Sequence, residues 1–317
     1  MGISSTFLKF IAPAFVELAS RESKILTIGR QLVTASEGEQ SAFTAHCGLS
    51  QQHTVRPSIG YLDELISLAQ PTMNVESVDY MDYEGCTHVA DLNVTFPKKL
   101  QSNYDCLIDG GTMEHVFDVK AVVFNYMRAL RVGGHLLLAT CANNMMGHGF
   151  YQFSPEFFYS LFNTQFGFEV RTCVIESARY PGVELVPGKT FSVARPADLK
   201  RRIGLVSHSP NIIFVHAKKV AEVDCELQSP PIQSDYVAMY KSNRSSNGSE
   251  KQSMEAQYSS AKKRFEKTLQ RIKRAWRLAG ACVRAELFSE AHKEGRGQLE
   301  RFSLDNRKYF QPWKEPY

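Results

Sequence analysis

An aspartate, two glycines, a glutamate and a histidine follow one another within YDCLIDGGTMEHVF, residues 104–117. The apolar run Cys106, Leu107, Ile108 reads as a buried strand. Its carboxyl end delivers Asp109, Gly110 and Gly111, and Glu114 and His115 stand in a helical turn that follows. In open α/β sheets ligands collect outside the carboxyl ends of the strands, so a carboxylate, flexible backbone and an imidazole there can bind a polar ligand and move a proton. The same residues also make an ordinary strand-to-helix connection, because Gly tolerates positive φ and Asp or Thr caps a helix. A second imidazole, His148, lies between glycines in GHGFYQFSPE, residues 147–156. His148 or His115 is the candidate general base and Asp109 the candidate to orient it, since imidazole titrates near neutral pH. Tyr151 and Phe153 read first as packing residues, and His115 equally as a helix residue that satisfies backbone groups.

These side chains need a scaffold. Residues 6–19 carry Phe7, Phe10, Ile11, Ala14, Phe15 and Leu18 at helical spacing, and KILTIG (24–29) follows as a first buried strand ending at Gly29. Helices are expected over 36–49 and 58–70, the latter after Pro57. Residues 75–78 form a second strand ending in Asp79 and Tyr80, and 88–93 a third strand or its loop, with Asp91 and Leu92. After the central strand come a helix over 119–130, a turn at 131–134, and the apolar strand HLLLAT (135–140). Ser154 with Pro155 starts another helix, as cap and first-turn proline. Sixth and seventh strands are expected at 170–175 and 211–217, with an insertion between them that includes Lys200, Arg201 and Arg202. Strands alternating with helices predict a doubly wound, mostly parallel seven-stranded sheet with helices on both faces.

Composition narrows the class. With 317 residues and 43% hydrophobic content the chain can build a proper core. The seven cysteines are widely spaced, with no CxxC pair and no zinc-type cluster, so no metal site is expected and the thiols are expected to be reduced. No apolar run approaches the roughly 20 residues that span a bilayer, and a charged-then-apolar leader is lacking. A soluble cytoplasmic protein is expected.

Asp79 closing the second strand, Asp91 after the third, YDCLIDGGTMEHVF, and LRVGGHLLLA before the fifth together resemble the class I S-adenosylmethionine-dependent methyltransferases. The likeness covers about residues 20–220, and at GHGFYQFSPE the chain is similar to a methyltransferase-like group that shares the stretch. The resemblance implies a Rossmann-like fold with S-adenosylmethionine as cofactor. It places Asp79 and Tyr80 at the ribose hydroxyls, Asp91 and Leu92 at the adenine, and Gly29, Asp109, Gly110 and Gly111 beside the methionine part and the substrate. The first glycine motif departs from the family pattern: Thr27 stands where an acid is usual, and Arg30, Gln31 and Leu32 replace further glycines. Arg30 is expected either to narrow the crevice or to pair with a carboxylate. The implied reaction is methyl transfer to a small molecule, a glycan or a lipid-linked intermediate. The alternative is a non-catalytic protein of the same fold that acts as a scaffold.

Three regions are expected: an α/β domain over 1–227, a Ser-, Asn- and Pro-rich linker over 228–252, and a basic amphipathic helical tail over 253–317. Residues 251–317 hold 16 Lys and Arg against 8 Asp and Glu, leaving 21 against 25 for the rest, so the formal +4 belongs to the tail. From Met254 to Leu287 apolar residues recur at steps of 3 or 4. That stripe is expected to pair two copies or to dock on the domain. A membrane surface is a minor alternative, and nucleic acid is not expected, for want of zinc-finger or RNP-type motifs.

Overall fold

The computed structural model describes residues 2–49, 60–179, 186–199, 207–246 and 310–317. In chain order the elements are α1 (Ser5–Leu18), β1 (Ser23–Ile28), α2 (Glu37–His46), α3 (Leu62–Ala69), β2 (Met73–Asp79), β3 (His88–Val89), β4 (Tyr104–Asp109), α4 (Val119–Ala129), β5 (Leu130–Asn143), α5 (Pro155–Leu161), β6 (Phe168–Ser177), β7 (Lys189–Val193), α6 (Pro196–Leu199), β8 (Asn211–Lys219), α7 (Ser234–Ser246) and β9 (Phe310–Pro312). They build one sheet in the order β3-β2-β1-β4-β5-β8-β6-β7-β9.

Every residue of β4 is buried, and its side chains alternate between two cores. Leu107 joins Leu136 and Leu138 of β5 under α4 and α5, while Cys106 and Ile108 join Leu137 and Ala139 under α1, α2 and α3. A strand apolar on both faces needs helices on both sides, and this sheet has them. On the second face α1 is capped by Ser4, which accepts from the Phe7 amide, and lays Phe7 on Phe214 of β8 with ring centroids 5.5 Å apart.

The doubly wound arrangement is as expected, with two corrections. Among the described residues the sheet has nine strands and is mixed: β8 runs antiparallel between β5 and β6, and β7 and β9 extend the far edge, antiparallel to their neighbours. The region expected as a turn at 131–134 lies inside β5, because Tyr104 pairs with Leu130 and Cys106 with His135, so the intervening residues bulge without ending the strand. β9 shows the chain's end returning to the sheet. Beyond it Trp313 packs on Phe10 at 5.8 Å and Glu315 pairs with Lys9 at 2.7 Å. The stripe over 254–287 and the basic residues 200–202 lie outside the described residues.

The strand order reverses between β1 and β4, each of which is parallel to both of its neighbours. A crevice at the carboxyl ends of those two strands is the place where such sheets bind ligands.

Candidate active site

Gly29 follows β1 with φ +70°, and its amide donates to the Val78 carbonyl at 2.7 Å. A Cβ placed on Gly29 would stand 3.5 Å from Gln31 Nε2, 3.6 Å from Asp79 Oδ2 and 3.7 Å from Thr112 Oγ1. The missing side chain therefore leaves a small cradle walled by an amide, a carboxylate and a hydroxyl. Asp79 ends β2 half-buried, and one of its oxygens accepts from the Tyr80 amide at 2.6 Å. Tyr80 itself is exposed. Next along this edge, Asp91 accepts from the Asn93 amide and side chain, both at 2.8 Å, and these bonds hold its carboxyl below the usual range. Leu92 beside it is buried in the core.

Arg30 turns away from the crevice. Its guanidinium bonds Asp63, Glu64 and the Glu84 carbonyl and lies 4.0 Å over the Tyr61 ring, as a charge-assisted anchor to α3. Gln31 is the residue that enters. It is buried, its Nε2 donates to the Ile28 carbonyl, and its carboxamide lies against Gly110, where a Cβ would collide with it. Gln31 Oε1 is buried with no hydrogen-bond partner among the described residues. Buried acceptors of this kind are uncommon and mark a place where a donor is wanted. A carboxylate suited to vicinal hydroxyls, an unmet acceptor suited to an ammonium and a glycine cradle between them fit an S-adenosyl amino acid.

Asp109 is fully buried. Its Oδ1 accepts from the amides of Gly111 and Thr112 at 3.0 and 2.7 Å, and its Oδ2 from the Met113 amide and the Tyr126 hydroxyl at 3.1 and 2.8 Å. Burial raises its pKa while these four bonds pull the other way. In place of the expected contact with an imidazole, the carboxylate spends itself on the turn that carries Gly110 and Gly111.

The turn then makes a single 3-10 loop, Met113–His115, in place of the expected helix start, which waits for the Asp118 cap of α4. Glu114, which the sequence reading did not single out as functional, is the carboxylate beside the imidazoles. It has no exposed surface; Thr140 Oγ1 donates to its Oε2 at 2.7 Å, the Cys141 thiol to its Oε1 at 3.6 Å, and His148 Nε2 lies 4.0 Å from Oε1. The rings of His115 and His148 are 5.1 Å apart, and one donor atom from each of Glu114, His115 and His148 falls within 4.8 Å of the others. Burial, and then the charge of Asp109, pushes the Glu114 carboxyl up to about 7, and burial and His148 lower His115.

His148 reaches this cluster because of the glycine after it. The Phe150 amide donates to the Glu114 carbonyl at 2.8 Å, and Gly149, at φ +145°, passes so close that a Cβ would stand 2.8 Å from the same oxygen. The Tyr151 hydroxyl, donating to the Phe117 carbonyl at 2.8 Å, ties down the rest of the loop. Around the cluster Phe117 and Phe150 meet edge to face at 5.8 Å, and with Met146 they leave an exposed apolar rim. A separate groove of about 820 Å³ between α4, α5 and residues 225–233 shares no lining residue with the crevice or the cluster.

No protein-family model matches the chain, and neither does any curated protein sequence. Among solved structures it is similar to the Burkholderia thailandensis 1,6-didemethyltoxoflavin-N1-methyltransferase with bound 1,6-didemethyltoxoflavin and S-adenosylhomocysteine, at 10% identity over 68% of this chain and 79% of that one, TM-score 0.36. It is similar to residues 961–1257 of the StiE O-MT, at 14% identity, 76% and 79% coverage and TM-score 0.40. A third is the O-methyltransferase from a trans-AT PKS multienzyme of Brevibacillus brevis in complex with S-adenosyl-L-homocysteine, at 12% identity, 66% and 71% coverage and TM-score 0.38. Similarity this distant leaves the reaction to be argued from the chain's own residues.

Proposed function

We propose that this protein binds S-adenosylmethionine at the β1–β4 crevice and transfers its methyl group to a hydroxyl-bearing small molecule, glycan or lipid-linked intermediate. The observation that carries the reading is the cradle at Gly29, where Asp79, Gln31 and Thr112 present polar atoms around a missing side chain at the point where the strand order reverses. Asp79 would take the ribose hydroxyls, Gln31 Oε1 the ammonium, and Asp91 the adenine side. Asp109 holds the amides of Gly111, Thr112 and Met113, and so the turn along which the methionine chain would pass.

When bound, the sulfonium supplies an electrophilic methyl: the acceptor's oxygen lone pair forms the new C–O bond while the C–S electron pair leaves on sulfur. What the protein adds is position and a way out for the acceptor's proton. Glu114, His115 and His148 gather Lewis-basic atoms beside the crevice for that purpose, and the rim of Phe117, Phe150 and Met146 suits an acceptor with an apolar or ring face. The six cysteines among the described residues are free, which suits a reducing compartment, and we place the protein in the cytoplasm. Among the described residues no helix is long and apolar enough to cross a membrane.

Calorimetric titration of the full chain with S-adenosylhomocysteine tests the reading. One-site binding that weakens at least about tenfold in Asp79→Ala, a loss of one charge-assisted contact, is expected. Heat that is absent, or indifferent to Asp79, contradicts it.

A further inference from the structure

A cluster of two imidazoles and one carboxylate can be satisfied by a proton or by a metal ion. We propose that Glu114, His115 and His148 hold a divalent transition-metal cation of the zinc or cobalt type, with open positions toward the acceptor. Two nitrogens and one oxygen form a donor set that suits these ions, and three protein ligands with a free position is the arrangement of a working metal rather than a structural one.

Three features of the geometry favour the cation. The donor atoms lie within 4.8 Å of one another, and two of the three side chains, exposed His115 and half-exposed His148, are on the accessible side of the cluster. The Thr140 hydroxyl fixes Oε2 of Glu114, and Oε1, which accepts only a long 3.6 Å contact from the Cys141 thiol, faces His148 at 4.0 Å; ligating carboxylates are commonly oriented by such a bond. Finally, Glu114 is fully buried, yet among the described residues no lysine or arginine pairs with it. Its ion-pair neighbour is His148 at 4.0 Å, itself one of the three ligands, and a buried carboxylate that is to stay charged must be paired with a cation or coordinate a metal. The loop supports the same end, since Gly149 is the residue whose lack of a side chain lets His148 approach the Glu114 backbone.

The role of the ion rests on the methyl-transfer reading; the site itself does not. With an ion held there the three side chains would no longer take the proton themselves: an acceptor hydroxyl at the open position would lose it to water at a lower pH, and its oxygen would form the bond to the methyl carbon as the C–S pair leaves on sulfur. Acceptors whose hydroxyl ionises with such help, phenols and enols foremost, are the class this site would take.

The test uses the chelator-treated full chain titrated with Co2+, followed by its visible d–d absorption, and with Zn2+ by calorimetry. One saturable site per chain is expected, at least about tenfold weaker in His148→Ala and in His115→Ala, and weakened in Thr140→Val, which keeps every ligand but frees the carboxylate. The exposed His208→Ala variant leaves it unchanged. No saturable site, or one indifferent to both histidines, overturns the proposal. S-adenosylhomocysteine is titrated separately: if it binds while no saturable Co2+ site is found, the metal is sunk and methyl transfer stands, whereas a saturable Co2+ site with no S-adenosylhomocysteine binding does the reverse.

Discussion

At the scale of single residues, Gly149 is held by geometry that other residues resist. Gly149→Ala must bear a backbone conformation at φ +145° and a clash with the Glu114 carbonyl. We expect about 1–3 kcal/mol of lost stability in denaturant unfolding, together with weaker cation binding. A neutral substitution would mean that the loop does not sit on Glu114. Asp109→Asn is expected to cost at least as much, since one of its oxygens becomes a donor facing amide hydrogens in a dry site, about 1–3 kcal/mol for the unmet bond. Full stability in that variant would remove Asp109 from its place at the centre of the turn. At this scale the sequence was partly legible. The strand ending at Asp109 and the glycines after it could be read from one apolar run, and the two histidines from their flanking turns. Glu114 could not be weighed, because its burial is produced by a loop some 30 residues later folding back onto its carbonyl. Gln31 was visible only as a bulky substitute for glycine; that its carboxamide turns in while Arg30 turns out depends on Asp63 and Glu64, a contact between distant residues.

Among elements, β5 and β8 carry a buried histidine pair at the end of the sheet away from the site. His135 Nδ1 and His216 Nε2 are 3.0 Å apart, with Glu17 of α1, Lys218 of β8, Arg21 and Arg171 of β6 acting on them. Burial lowers the pKa of both, with Lys218 acting in the same direction on His135 and His135 on His216, while Glu17 opposes. A base whose folded pKa is depressed stays neutral in the native state while the unfolded chain takes up protons below about 6.5, so its stabilisation is present above that pH and is lost as pH falls. Unfolding free energy should therefore decline from about pH 6.5 toward pH 4, by up to roughly 1.4 kcal/mol per pH unit for each histidine. The His216→Gln curve should be flatter over the same range; parallel curves would contradict the assignment. Most of the elements were readable from hydrophobic spacing: α1, β1, α4 and β4 fall within a residue or two of expectation. β7 and β9 were not. A five-residue strand inside a Pro- and Gly-rich insertion and a three-residue strand beside Pro and Trp carry too little pattern; β7 is set by its pairing with β6, and β9 then covers its other edge.

For the whole molecule, the doubly wound sheet places every proposed binding group at one edge and leaves the basic C-terminal stripe as a separate question. The sequence periodicity over 254–287 calls for a covered apolar face, and we expect two copies of the chain to supply it. Sedimentation of the full chain should give a dimer that Ile272→Asp returns to monomer; a monomer at every concentration contradicts this. The central claim is the placement of an S-adenosyl ligand at the crevice, and a crystal structure of the full chain grown with S-adenosylhomocysteine tests it most directly. The account predicts ribose hydroxyls on Asp79, the amino group on Gln31 Oε1 and the sulfur turned toward Glu114 and His148. Ligand density in the groove between α4 and α5, or none in the crevice at saturating ligand, would contradict it.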